Sequence, residues 1–248
     1  MSAATQMRHD CMECPLLDCE GLRPLDKEQR KFMQGFKQGE FLIDKGTQTL
    51  IQGSISPHIY TLLKGVLFRF RILEDGRRAI VIFVFPGDLI GLQGALDEPL
   101  MHGCEALTNA TLCVFSRDRI VELFAEQPRL GFDLTWLAAK EESALEELLV
   151  SIGRRTAQER LVYLAIFLIE RGIATDMVKK GTLEITITQA QIGDTLGLSL
   201  VHTNRTLQSL RKKGLVNWTL TSISIPDMDA AREFAHYEGS GSAIRPYI

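Results

Sequence analysis

Glycine stands at positions 39, 46, 53, 65, 76, 87 and 91, roughly one every ten residues. Turn residues at that interval leave room only for short strands, and many short strands must close on themselves as a barrel or sandwich. The intervals carry strand chemistry. Residues 67–72 read Leu-Phe-Arg-Phe-Arg-Ile, which places Phe68, Phe70 and Ile72 on one face and Arg69 and Arg71 on the other. Glu74-Asp75-Gly76-Arg77 follows as a hairpin turn, with the glycine to take positive φ. Ala79 to Phe85 is a continuous β-rich apolar run, expected to be buried, and Pro86-Gly87-Asp88 breaks it.

From Arg117 the apolar period lengthens to that of a helix. Leu134, Leu137, Leu145, Leu148 and Ile152 predict one long helix. A heptad seam with Ala138, Leu145 and Ile152 at a and Leu134, Glu141 and Leu148 at d is apolar except at Glu141, which admits a short coiled-coil dimer. The alternative is an amphipathic helix packed on its own domain. Residues 156–172 predict another helix, Glu184 to Thr188 a strand, the stretch to Gly214 helix again, and Ser222 to Ile225 a closing strand. Residues 226–248 include Gly-Ser-Gly-Ser and are expected to be peripheral and loosely held. Strands first and helices after make the fold class α+β.

Within the second half, residues 188–199 open on Thr188, an N-cap residue, and reach Gly197, where a helix must stop and the chain turn. Ser199 then caps a helix from Leu200 to Lys213. Leu200, Thr203, Leu207 and Leu210 are its expected buried face. A short helix, a glycine turn and a second helix with a polar face is the helix-turn-helix layout. Arg205, Arg211, Lys212 and Lys213 stand against Asp194 alone, a local +3 in a chain of net charge −3. The expected DNA-binding residues are Ser199, Val201, His202, Asn204, Arg205, Gln208, Arg211 and Lys212, with Arg205 placed for a two-pronged contact to guanine.

Cys11, Cys14 and Cys19 crowd the N-terminus, and Cys113 lies about a hundred residues on, in a strand-like segment. The chain begins without a signal-peptide pattern and has no run of membrane-spanning length, so it is expected in the cytoplasm, away from membranes. Disulfides are rare there, and five cysteines is an odd count. The thiols therefore point to an iron–sulfur cluster, a closed zinc site or a thiol–disulfide switch. Cys104 reads as core filler. His9, His58, His102, His202 and His236 show no ligand spacing, and no phosphate loop or nucleophile elbow is present. No catalytic residue is expected and the chain is not read as an enzyme.

Lys64-Gly65, Asp75-Gly76-Arg77, Pro86-Gly87-Asp88-Leu89-Ile90-Gly91, Glu159-Arg160-Leu161 and Leu196-Gly197-Leu198-Ser199 through Arg205 together resemble the Crp/Fnr family of bacterial transcription regulators. The resemblance implies a cyclic-nucleotide-binding-like β-roll, a dimerisation helix and a winged helix-turn-helix. It implies a homodimer that binds palindromic double-stranded DNA and contacts RNA polymerase. The nucleotide-binding members hold the cyclic phosphate with an Arg-Ser pair, where this chain has Met101-His102-Gly103-Cys104-Glu105-Ala106-Leu107. The oxygen-sensing Fnr branch holds a cluster, commonly 4Fe-4S, with three N-terminal cysteines and one in the β-roll. Cys11, Cys14, Cys19 and Cys113 match that pattern, with a four-residue gap before Cys19 where five or more is usual. Val201 and Asn204 stand where Fnr-type readers carry glutamate and serine. Another trigger in the same fold, such as nitric oxide, haem or a small molecule in the β-roll, remains the alternative. The expected parts are a cysteine-rich loop (1–25), a β-roll (26–120), a dimerisation helix (121–155), a winged helix-turn-helix (156–226) and a tail (227–248).

Overall fold

The computed structural model describes residues 9–93, 98–239 and 244–248. Two short 3-10 turns, Cys11–Glu13 and Pro15–Asp18, open it. Helix α1 (Lys27–Phe36) follows, inside the span expected to be β-roll. Its start is local chemistry: the Asp26 side chain accepts from the Gln29 amide and the Gln29 side chain accepts from the Asp26 amide, a capping box.

Eight strands come next: β1 (Lys37–Ile43), β2 (Gln48–Leu50), β3 (His58–Lys64), β4 (Leu67–Ile72), β5 (Arg78–Val84), β6 (Leu89–Ile90), β7 (Gly103–Ala106) and β8 (Ala110–Ser116). They form two four-stranded antiparallel sheets, ordered β1-β8-β3-β6 and β2-β7-β4-β5. Leu62, Leu67, Val84 and Leu112 fill the space between. In β4 the register against β5 slips between Arg69 and Phe70. Such a bulge re-aims side chains. Phe68 and Phe70 are buried as expected, but Ile72 is exposed and Arg69 is buried.

Helix α2 (Ile120–Glu126) leads into α3 (Pro128–Arg154), 27 residues long. Proline at the first helical position loses no bond there. Thr156 and Glu159 form a capping box that restarts the chain as α4 (Ala157–Ala174). Then come β9 (Val178–Lys179), β10 (Thr182–Glu184), α5 (Gln189–Leu196), α6 (Leu200–Lys212), β11 (Asn217–Trp218), β12 (Ser222–Ser224) and α7 (Met228–Ala235). The strand expected at 184–188 falls earlier. Ile185 and Ile187 are buried, but their amides bond the Thr221 and Leu220 carbonyls outside the ladder. The two halves share a core, in which Phe68, Phe83 and Phe85 meet Leu161, Leu164 and Leu168 of α4. Arg78 Nε bonds Asp194 Oδ2 at 2.9 Å and ties β5 to α5.

The tail departs most from expectation. Asp227 caps α7, whose Ala231 and Ala235 are fully buried. Residues 244–248 run back to the N-terminal loop. Arg245 pairs with Leu22, accepts from the Arg23 amide at 2.8 Å and donates to the Gly21 carbonyl at 3.0 Å. Its guanidinium and that of Arg171 both grip Asp88, at 2.7 and 2.6 Å. Tyr247 and Ile248 are buried. Residues 240–243, which hold most of the Gly-Ser-Gly-Ser run, lie outside the described residues. Among those described, no helix is long and apolar enough to cross a membrane.

Candidate cysteine site and nucleic-acid interface

Cys113 sits on β8, opposite Glu40 of β1 and Thr61 of β3. It is buried in a core of Leu16, Leu22, Phe36, Phe115 and Tyr247, and Cys11, Cys14 and Cys19 pack half-buried against the same core. Local bonds aim the loop. Asp10 caps the first turn through the Met12 amide, and the Cys11 amide donates to Gln34 Oε1 of α1 at 2.7 Å. Cys11, Cys14 and Cys113 lie close enough to act on one another electrostatically. Cys19 faces Asp176 instead, with its Sγ 3.9 Å from the Pro15 carbonyl. Cys104 belongs to the separate core between the sheets.

Burial pushes the Cys14 thiol up to about 11, raises Cys19 and Cys113, and pushes Cys104 up to about 12. These groups are thus thiols at neutral pH unless a cation draws the proton off. No disulfide joins any of them. Among the described residues, no group of three or more His, Cys, Asp or Glu side chains is already arranged to hold a metal ion. The donor set nonetheless suits one. Lys37 Nζ is buried beside Cys113 and Cys11, bonded to the His9 carbonyl at 2.8 Å and Glu40 Oε1 at 2.5 Å. Burial would lower this ammonium, but Cys113, Glu40 and Cys11 outweigh it and hold it above its ordinary value. A fixed cation beside Cys11, Cys14 and Cys113, with Cys19 against the same apolar wall, suits a thiolate-bound cluster, whose net charge is negative.

The loop is tied to α3. Arg23 forms a close ion pair with Asp133, whose side chain is 1% exposed. Three residues of the expected seam are engaged within the chain itself. Leu134 is buried with Leu130 and Leu137 in its own core. Glu141 pairs closely with the buried Arg69. Leu148 lines a cleft against α4. Ala138, Leu145 and Ile152 keep the a row, and the exposed partner row one residue on is Thr135, Glu142 and Leu149. Leu149 is 73% exposed. Glu142, rather than Glu141, is the acid that this row carries.

In the helix-turn-helix, Thr188 and Gln191 box the start of α5, and Gly197 ends it at φ 66°. A side chain at Gly193 would meet the Leu198 carbonyl at 2.6 Å, so glycine is what lets the turn close. Ser199 caps α6. Ser199, Val201, His202, Arg205, Gln208, Arg211 and Lys212 are exposed along it. Leu200, expected inside, is 58% exposed. Asn204 is half-buried and engaged: it donates to Gln189 Oε1 at 3.2 Å and accepts from Gln208 Nε2 at 2.7 Å. Gln189 was missed by the sequence reading, although its place at the first position of a capped helix marks it. Arg69 was missed too. It lies near His102, whose imidazole is lowered to about 3 by burial and by Arg69 and Arg71.

A β-roll joined through a long helix to a winged helix-turn-helix defines a DNA-binding transcription regulator. Comparisons agree. The cyclic nucleotide-binding domain model matches residues 34–127 and the Crp-like helix-turn-helix domain model residues 160–234. A protein described as "Probable transcriptional activator" from Rhizobium leguminosarum bv. viciae is 31% identical over 188 residues, covering 75% of this chain and 77% of that one. The transcriptional activator protein FnrL of Cereibacter sphaeroides is 26% identical over 219 residues, 84% of each chain. The solved structure of FixK2 from Bradyrhizobium japonicum superposes with TM-score 0.67 at 22% identity, covering 79% of this chain and 96% of that one, a likeness of fold. The chain belongs to the Crp/Fnr family of transcription regulators, which are DNA-binding proteins and not enzymes.

Proposed function

We propose that this regulator works in the cytoplasm as a homodimer on palindromic DNA and answers to oxygen or redox state through a 4Fe-4S cluster held by Cys11, Cys14, Cys19 and Cys113. One observation carries the reading: a β-roll cysteine and three cysteines from the chain start pack into one apolar core beside a buried lysine. A cluster bound there supplies oxygen-labile bonds between the N-terminal loop and β8.

The chain's own residues do the rest. Leu16 and Leu22 seat the loop in the core, Arg23 holds α3 through Asp133, and Arg69 holds α3 through Glu141. Held at both points, α3 presents Ala138, Leu145, Leu149 and Ile152 to a second copy. Pairing sets two α6 helices about one DNA turn apart, as paired half-sites require. Release of the loop leaves Asp133 buried without its partner and loosens the N-terminal half of α3. Bound regulators then meet RNA polymerase at the promoter.

The test is anaerobic purification of the wild type and Cys14→Ser. The expected result is iron and sulfide in equal amounts and an operator footprint in the wild type, with both lost in the variant. Wild-type protein that lacks iron yet footprints its operator would overturn the reading.

A second reading has its own support. A cleft of about 610 Å³ between the β-roll and α3 is lined by Arg69, His102 and Glu141. Arg69 Nε and His102 Nε2 are buried there without hydrogen-bond partners among the described residues, which suits a small anionic effector. An anion that tightens DNA binding by iron-free protein would favour this reading.

A further inference from the structure

Tyr247 is 2% exposed, and its hydroxyl has no hydrogen-bond partner among the described residues. Cys14 and Cys19 both lie close enough to act on this phenol. A buried hydroxyl proton left unused is costly, so a tyrosine in place of phenylalanine marks an acceptor that the site supplies when complete. Sulfur is the acceptor that packs against the same core, through Cys14 and Cys19.

The segment is firmly placed for that role. Thr61 Oγ1 donates to the Ile248 carbonyl at 2.6 Å, and Thr61 is the β3 neighbour of Cys113. Arg245 locks the same segment to the loop just after Cys19. The other tyrosines, Tyr60, Tyr163 and Tyr237, pack in the other cores.

We propose that the Tyr247 hydroxyl donates a hydrogen bond to the sulfur of Cys14 or Cys19 in the cluster-loaded protein and so slows oxidative loss of the cluster. The proposal rests on the cluster reading above. Hydrogen bonds to ligand sulfurs set cluster potential by stabilising the electron-richer state. Tyr247 is therefore a positioning residue, reaching the redox centre through a ligand.

The experiment compares wild type and Tyr247→Phe, both loaded anaerobically, by iron and sulfide content, thermal melting, reduction potential and the rate of bleaching in air. Equal loading and melting are expected, with a lower potential and bleaching roughly three- to tenfold faster in the variant, the span of one ordinary hydrogen bond. Equal loading with unchanged potential and bleaching overturns the proposal and leaves the cluster standing. Wild type without iron overturns the cluster reading and this proposal together. Should the phenylalanine chain load poorly, wild type made with fluorotyrosine decides: the stronger donor raises the potential if the bond exists, and an unchanged potential overturns it.

Discussion

Arg23→Ala tests how the cysteine loop reaches the dimer helix. Asp133 is almost wholly buried and Arg23 is its partner across 110 residues of sequence. Removing one member of a buried pair typically costs about 3–5 kcal/mol, because the other charge stays buried and unpaired. Arg23 keeps 36% of its side chain in solvent, and solvent screening brings the expected loss to about 2 kcal/mol. That is roughly a thirtyfold shift toward the unfolded state and a fall in melting temperature of about 4–8 °C for a chain of this size. Asp133→Asn relieves the stranded charge, so the double variant should recover part of the loss. The assay is a double-mutant cycle by urea unfolding, with sedimentation to follow dimerisation in parallel. A coupling near zero, or a double variant as damaged as the sum of the single ones, would refute the claim that this pair joins loop to helix.

The seam register separates two neighbouring acids. On the proposed pairing, Glu142→Ile should tighten dimerisation measured by sedimentation, by about 1 kcal/mol, since it removes like charges from the shared row. Glu141→Leu should instead lower the melting temperature, as it strands the buried Arg69, at about 2–4 kcal/mol. On the DNA side, Arg205→Ala should cost about 1–3 kcal/mol at one base position in a binding titration across operator variants. Lys212→Ala should weaken all sequences alike and reduce the salt slope by about 1. His102 gives a pH signature. Its folded value is lowered to about 3 while the unfolded value is near 6.5. Below that unfolded value the unfolded chain binds the extra proton, so stability falls as pH falls between the two, by at most about 1.4 kcal/mol per unit. Urea midpoints of wild type should drop from pH 7 to pH 5, and His102→Gln should drop less.

Local rules reached much of this molecule. The ten-residue glycine interval marked the β-roll, and Leu67 to Ile72 was placed to the residue as a strand. Cap, glycine turn and second cap marked the helix pair, because those contacts lie within a few residues of each other. What escaped was set at a distance. The face of α3 could not be apportioned from its period: neighbouring apolar rows run along it, and burial of Leu134 and capture of Glu141 by Arg69 decide which one stays exposed. Arg69 itself escaped because a bulge turns it inward. Helix α1 was readable, since Asp26 and Gln29 stand in capping-box spacing. The buried tail was not, for a glycine-serine run ahead of it reads as slack.

Thr61 and Ile248 are joined across 187 residues, and that bond has a consequence for biosynthesis. The wall around the cysteines needs a piece made after the whole reading head, so a nascent chain emerging from the ribosome holds its thiols in an open trough. Contacts this far apart form late. On the cluster reading, loading must therefore either wait until residues 244–248 have been made or be shepherded until then.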